Sequence, residues 1–283
     1  MSSGKSSRMS SRQSNTFAIE TIPNSNNLLK IFCCLVIIVL ICIALGHYAF
    51  KNGILTCDHY VFNTYLYIIL AIVLMFLIVL INDQYGIFNP ILELLSGIIG
   101  FIILLILLIG LTYLLYHTDP KNILASNAIW LALVFVVGMM LIPFILFARM
   151  TGVLGFAGIL TIVIVIVVGL LGYYMGDKII TFDWDKYLMY ALIGLIVISL
   201  IGYFFIKDAE TMLTFIYVIS IFSLIIFVLL LLSNHKKLKE NADKCIDGQV
   251  IPNYPQESWG IVIKIVNIFI DLIRILGIRK LRK

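Results

Sequence analysis

Residues 211–234 read TMLTFIYVISIFSLIIFVLLLLSN, an unbroken run without one charged side chain. A hydrocarbon core about 30 Å thick is crossed by roughly 20 consecutive apolar residues wound as a helix, so this run is long enough to span a bilayer. Runs of the same kind recur outward from it, at 31–50, 61–82, 94–116, 122–148, 150–176 and 187–206. An eighth stretch, 258–277, is apolar between its charges. None of the runs shows the period-two alternation of a barrel strand, and only helices or closed barrels satisfy their backbone groups in lipid. The fold class that follows is all-α: a polytopic transmembrane bundle of about seven spans plus a polar C-terminal helix.

Composition agrees. Of 283 residues, 62% are apolar and 12% charged, against about 25% charged in a soluble domain, and the mean hydropathy is +1.10. Water is not the main solvent of such a chain, and nothing in it indicates a nucleic-acid partner. The chain divides into a Ser- and Asn-rich basic tail at 1–27, expected to be disordered, a bundle at 28–277, and a basic tail at 278–283. A cleaved signal peptide is the alternative for the first apolar run. That run is long and lacks a clear small-x-small site after it.

The five cysteines, Cys33, Cys34, Cys42, Cys57 and Cys245, have no metal-binding spacing. Cys33 and Cys34, at the membrane edge, are palmitoylation candidates or two buried thiols. Lys and Arg gather in the N-terminal tail, in 236–244 and at the end of the chain, within a net charge of +5. The positive-inside rule places all three in the cytosol. Seven full crossings before Lys236 would not: either the basic stretch after Asn234 lies on the far side or one early run does not cross, and the expectation is the second, with 258–277 then re-entrant.

The spans lack a nucleophile with a base, a phosphate loop or a metal cluster, so no enzyme and no cofactor is expected. Gly172 with Gly176, the trio Gly152, Gly155 and Gly158, and Gly194 with Gly202 are candidates for close helix approach. Pro143 removes a backbone donor inside the fourth run and should kink it. Tyr65, Tyr67, Tyr113, Tyr116, Trp184 and Trp259 fall near run ends, as interfacial aromatics do.

The chemistry concentrates in 258–277. Lys264, Asn267, Asp271 and Arg274 follow at steps of three and four, which puts them on one helical face. Charges at membrane depth face the bundle or a wet cavity. Either this stripe lines an ion path, or it is a satisfied packing network or an interfacial helix with snorkelling cations.

Asn267-Ile-Phe-Ile-Asp271-Leu-Ile-Arg274-Ile-Leu-Gly277, followed by a short basic tail, resembles the C-terminal signature of the Bax inhibitor motif family, an Asn-Leu-Phe-like triplet leading to Arg-x-Leu-Gly. Ser233-Asn234-His235-Lys236-Lys237-Leu238 resembles that family's Tyr-Asp-Thr-Gln-Lys/Arg-Leu element. The resemblance covers roughly 172–283. It implies a multi-pass protein of an intracellular membrane, endoplasmic reticulum or Golgi, that modulates cell death or calcium homeostasis, with membrane lipids and cell-death regulatory membrane proteins as partners. The family's pair of aspartates, associated with pH-sensitive closure of a calcium leak, falls on Asn234 and Lys264 here, so both carboxylates are replaced. Asp271 is the candidate replacement partner of Lys264, and the gate candidates are Asn234, Lys264, Asn267, Asp271 and Arg274.

Other classes remain open at this point. A channel or transporter would use the Lys264 stripe for selectivity, and a structural membrane protein would need no polar site. A retinal protein would need a deep carboxylate counter-ion, whereas Asp83, Glu93 and Asp119 sit at run ends.

Overall fold

The computed structural model describes residues 25–51, 54–94, 97–180 and 184–282. The expected disordered tail therefore lies almost wholly outside the described residues. Within them the chain forms α1 (Ser25–Tyr48), a short antiparallel pair β1 (Phe50–Lys51) and β2 (Ile54–Leu55), α2 (Tyr60–Tyr85), α3 (Asn89–Leu94), α4 (Ile98–His117), α5 (Ile123–Met150), α6 (Leu154–Ile179), α7 (Trp184–Phe205), α8 (Ala209–Ile246) and α9 (Tyr254–Leu281). Six of these, α1, α2, α5, α6, α7 and α8, are long and apolar enough to cross a membrane. The protein is an integral, multi-pass helical bundle.

Local sequence explains where the helices begin and end. Asn122, Asp208 and Asn253 each accept a hydrogen bond from the backbone N–H three residues on, at the starts of α5, α8 and α9. That satisfies one of the orphan donors of a first turn. Gly86 closes α2 in the left-handed conformation, φ 63°, which a side chain would strain. The Asn89-Pro90 pair starts the separate short helix α3, not a span; the next long helix begins after Gly97. α5 continues helical through Pro143.

α8 outruns its apolar sequence. Residues 235–246 stay helical because they carry an apolar stripe of their own: Leu238, Ala242 and Cys245, at steps of four and three, are buried. Lys236 pairs with Glu240 at i,i+4 (3.8 Å) and donates to the Ile180 carbonyl at the end of α6 (3.1 Å), which ties this stretch to its neighbour.

The last helix is the centre of the bundle. α9 packs against α2, α4, α5, α6 and α8, and Trp259, Ile261, Val262, Ile268 and Ile273 are all but inaccessible. It runs antiparallel to α8 from end to end. Asn241 Nδ2 donates to Glu257 Oε1 at 2.6 Å, and Arg282 donates to Thr214. The segment 258–277 is therefore not re-entrant; it lies inside an unbroken helix of 28 residues. At one end of the bundle, Asn27 of α1 donates to Asp83 of α2 (3.0 Å), Asp83 pairs with Arg149 of α5 (2.7 Å), and Gly152 lies against Lys280 of α9. The starts of α1 and α8 thus share an end with the finish of α9, and the basic stretch 236–244 is carried to the opposite end. The basic stretch 236–244 and the basic end of α9 do not share an end of the bundle, because α8 continues three turns beyond its apolar run.

Of the candidate glycines, Gly172 and Gly176 receive α8: a Cβ on Gly172 would meet the Leu232 carbonyl at 2.6 Å, and one on Gly176 would meet Lys236 Cβ at 2.9 Å. Gly202 receives Phe215 in the same way, whereas Gly155, Gly158 and Gly194 face open space. Tyr113, Tyr116 and Trp184 are exposed near helix ends, as interfacial aromatics are. Tyr67 and Trp259 are instead buried, because each finds a polar partner inside: Tyr67 donates to Asn127 (2.9 Å) and Trp259 to Thr112 (3.2 Å).

Candidate functional site in the seam between the last two helices

Ser223, Phe227, Leu230 and Asn234 succeed one another at steps of four, three and four along α8, and so form one stripe. Opposite them on α9 run Glu257, Gly260, Lys264, Asn267, Asp271 and Arg274. The register is fixed at both ends: Asn241 meets Glu257, Asn234 meets Gly260, and the Ser223 hydroxyl meets the Asp271 carboxylate. Between these contacts Phe227, Leu230 and Leu231 are buried and apolar. The seam is polar toward each end and closed by hydrocarbon in the middle.

Asn234 does not stand directly against Lys264. Its Nδ2 lies 3.1 Å from where a Cβ on Gly260 would be, one helical turn from the lysine. Lys264, half-buried, shares its field with Asp185 at the start of α7 and Lys237 of α8. Asp185 forms an ion pair with Lys237 and sits beside Ser233. The carboxylate that answers Lys264 is thus Asp185, from a third helix. Asp271 is engaged elsewhere, with Ser223 and, at 3.8 Å, with Arg274. Arg274 also lies over the Phe144 ring of α5, 5.0 Å from its centre, a cation–π contact. Asn267 turns back on its own helix and donates to the Ile263 carbonyl at 2.6 Å.

Four of the five sequence candidates consequently fall into two groups, and Asn267, bonded to its own helix, belongs to neither. Asn234 and Lys264 belong to an upper cluster with Asp185, Lys237 and, about two turns along α9 from Lys264, Glu257, which Tyr60 of α2 and Asn241 hold. Asp271 and Arg274 form a lower pair. The sequence reading missed Asp185, which sits at the edge of a run, and Glu257, which directly precedes the stretch singled out. It also missed His235, wholly buried, with Nδ1 on the Leu231 carbonyl at 2.8 Å, its ring against Gly169 and its Cβ against Gly172 of α6, the ring 6.0 Å from that of Tyr65. The i,i+4 placement of Leu231 and His235 was visible; the two glycines that admit the side chain come from another helix.

Cys57 and Cys245 form a disulfide that joins the segment before α2 to the last turn of α8. Spacing alone had no means of pairing them. Cys34 is buried in α1, while Cys33 and Cys42 are exposed. Among the described residues, no group of three or more His, Cys, Asp or Glu side chains is placed to hold a metal ion.

Chemically, the upper cluster can hold fixed charge at the end of a helical seam, two lysines against two carboxylates. Comparison with known families gives one finding: the family model described as "Inhibitor of apoptosis-promoting Bax1" matches residues 57–280. No curated protein matches the chain.

Proposed function

The chain belongs to this family of inhibitors of apoptosis-promoting Bax1, and from that premise we propose that it modulates cell death or ion homeostasis from within an intracellular membrane, endoplasmic reticulum or Golgi. It acts through its bundle and through contacts with membrane lipids and cell-death regulatory membrane proteins, not through catalysis. The observation that carries this reading is the seam. Ionisable groups placed at membrane depth are costly and need a reason to be there, and here they gather on the central helix, on the face turned to α8.

The reading extends to the ion. A pair of carboxylates can share a proton and titrate as a unit; Asn234 does not titrate, and Lys264 is a cation. The protein therefore exerts its effect with little or no calcium leak of its own, and Phe227, Leu230 and Leu231 support this by filling the middle of the seam. A channel or transporter using the Lys264 stripe is the second reading, favoured only by the presence of a fixed cation between two helices.

The test is expression of the full chain in cells in which Bax is induced. Survival should rise relative to empty vector, and Lys264→Met with Asp185→Asn should abolish that rise at equal protein level. Survival equal to the vector control would end the proposal, and survival unaffected by the double change would remove the seam from it.

A further inference from the structure

The end of the bundle that carries the disulfide is also laced by hydrogen bonds between its loops and helices. Asn63 of α2, inaccessible to solvent, donates to the carbonyls of Tyr48 (3.1 Å) and Asp58 (3.0 Å) and to the Tyr254 hydroxyl (3.3 Å). Tyr254, at the first position of α9, donates in turn to the Thr56 carbonyl, and its ring rests 5.3 Å from that of Tyr60. Cys57 lies one residue beyond Thr56, and Cys245 one helical turn beyond Asn241. The disulfide is therefore the outermost rung of a ladder whose next rungs are Tyr254 with Thr56 and Glu257 with Asn241. Those rungs close the seam at its charged end.

The bond also orients the molecule. Disulfides form and persist in oxidising compartments and are kept reduced in the cytosol. The loops from Tyr48 to Tyr60 and from Ile246 to Tyr254 share the disulfide end, while the starts of α1 and α8 and the finish of α9 share the other. That sets the disulfide end, with Lys236 to Lys244, outside the cytosol. The lysines nearest the seam are not loop charges of the kind the positive-inside rule counts: they lie on a folded helix, with Lys237 paired to Asp185 and Lys236 to Glu240.

We infer that Cys57–Cys245 is a redox latch: on the membrane face turned to an oxidising compartment it holds the segment before α2 against α8 and α9, and its reduction frees the charged end of the seam to open. The inference rests on the reading of the seam as the working part of the protein. The reductant is a dithiol. Its first thiolate attacks one sulfur and makes a mixed disulfide, and its second displaces the remaining cysteine. Two electrons and two protons pass to the pair, leaving two thiols here and a disulfide on the reductant. Once the covalent rung is gone, the ladder is left to non-covalent contacts, the Tyr254, Asn63 and Glu257 hydrogen bonds and the Tyr60 ring on Tyr254, and water competes for the hydrogen bonds at the bilayer surface.

The experiment uses the full chain in lipid nanodiscs, with Cys33, Cys34 and Cys42 changed to Ser so that only the pair reports. Alkylation should find no free thiol until dithiothreitol is added. Hydrogen exchange of residues 56–66 and 254–264 should then become about tenfold faster, as for a local opening, while residues 130–142 of α5 stay unchanged. Cys57→Ser should show the fast exchange without reductant. In sealed vesicles of known sidedness, a membrane-impermeant maleimide should reach reduced Cys57 from the side opposite the chain termini. Free thiols in the untreated protein, unchanged exchange on reduction, acceleration in α5 to the same degree, or labelling from the side of the termini would each overturn the latch. Should the seam open on reduction while the survival assay ignores Lys264, the latch stands and the functional reading falls.

Discussion

Asn234 of α8 abuts Gly260 of α9 so closely that a Cβ on the glycine would lie 3.1 Å from the asparagine's Nδ2. The other atom near that position is the Tyr116 hydroxyl, at 3.4 Å. Both neighbours are the far ends of side chains, and both can move a few tenths of an ångström. Gly260→Ala should therefore be tolerated, with a change in denaturation midpoint near the limit of measurement. Gly172 is the contrast. Its Cβ would meet the Leu232 carbonyl oxygen at 2.6 Å and the His235 Cβ at 2.7 Å, and neither can leave without moving α8. Gly172→Ala should destabilise by about 1–3 kcal/mol, the range of an overpacked core. Equal midpoints for the two variants would show that α6 and α8 are not held where these distances put them.

Asp185 is the hub of the upper cluster, since Lys237 pairs with it and Lys264 shares its field. Asp185→Asn leaves two lysines facing one another across α8 and α9. The pair is partly exposed, so the loss should be modest, on the order of 0.2–1 kcal/mol. Adding Lys264→Met to Asp185→Asn should recover part of it, because one of the two repelling cations is gone. A double-mutant cycle in detergent tests this directly. Strict additivity would mean that Lys264 and Asp185 do not sense one another.

How far the sequence could be read follows from these particulars. Charge-free runs located every long helix but the last, because spanning length in lipid is a one-dimensional property of the chain. The polar face of 258–277 was legible for a similar reason, since steps of three and four fix a face within one helix. What the sequence did not show were relations between helices. Asp185 joins Lys264 only because α7 starts beside the eighth helix, and Cys57 meets Cys245 only because α2 and α8 share an end. The expectation of a re-entrant last segment came from counting basic residues as loop markers. It failed because 235–246 is helical, on the strength of Leu238, Ala242 and Cys245.

The start of α8 gives a pH prediction outside the membrane segments. Asp208 caps the helix: it accepts from the Thr211 hydroxyl at 2.6 Å and from the Thr211 backbone N–H at 2.7 Å, and these bonds, the hydroxyl first, hold its carboxyl below the usual carboxylate range. A depressed folded-state pKa contributes stability that is present above the ordinary Asp value and lost as pH falls through the depressed one. Amide exchange at 211–214, corrected for intrinsic rates, should be flat at neutral pH and accelerate in acid only below the ordinary Asp range. Asp208→Ala should show the faster exchange at every pH. If the wild-type protein showed the acceleration on raising pH, the cap would have been assigned the wrong sign.

Calcium conduction is the sharpest test of what replaced the carboxylate pair. The upper cluster sets Lys237 and Lys264 against Asp185 and Glu257, and both carboxylates are already engaged, Asp185 by Lys237 and Glu257 by Asn241 and Tyr60. A calcium ion entering here meets no free carboxylate and must approach Lys264. At an effective dielectric near 20, a unit charge about 6 Å from a divalent ion is worth roughly 5 kcal/mol, and from the lysine that is repulsion. Protein reconstituted in vesicles should therefore show little calcium leak, with no step between about pH 6 and 8, the range in which a coupled carboxylate pair of raised pKa would titrate. Asn234→Asp with Lys264→Asp removes one cation and adds two carboxylates a helical turn apart on facing helices, and should create both the leak and its pH dependence. The single change Lys264→Met separates the two contributions, since it lifts the repulsion without adding a titrating pair: any leak it allows should be independent of pH. A wild-type flux as large as that of the double variant, gated over the same range, would mean that Asn234 and Lys264 do not govern conduction and that the ion follows a path away from the α8–α9 seam.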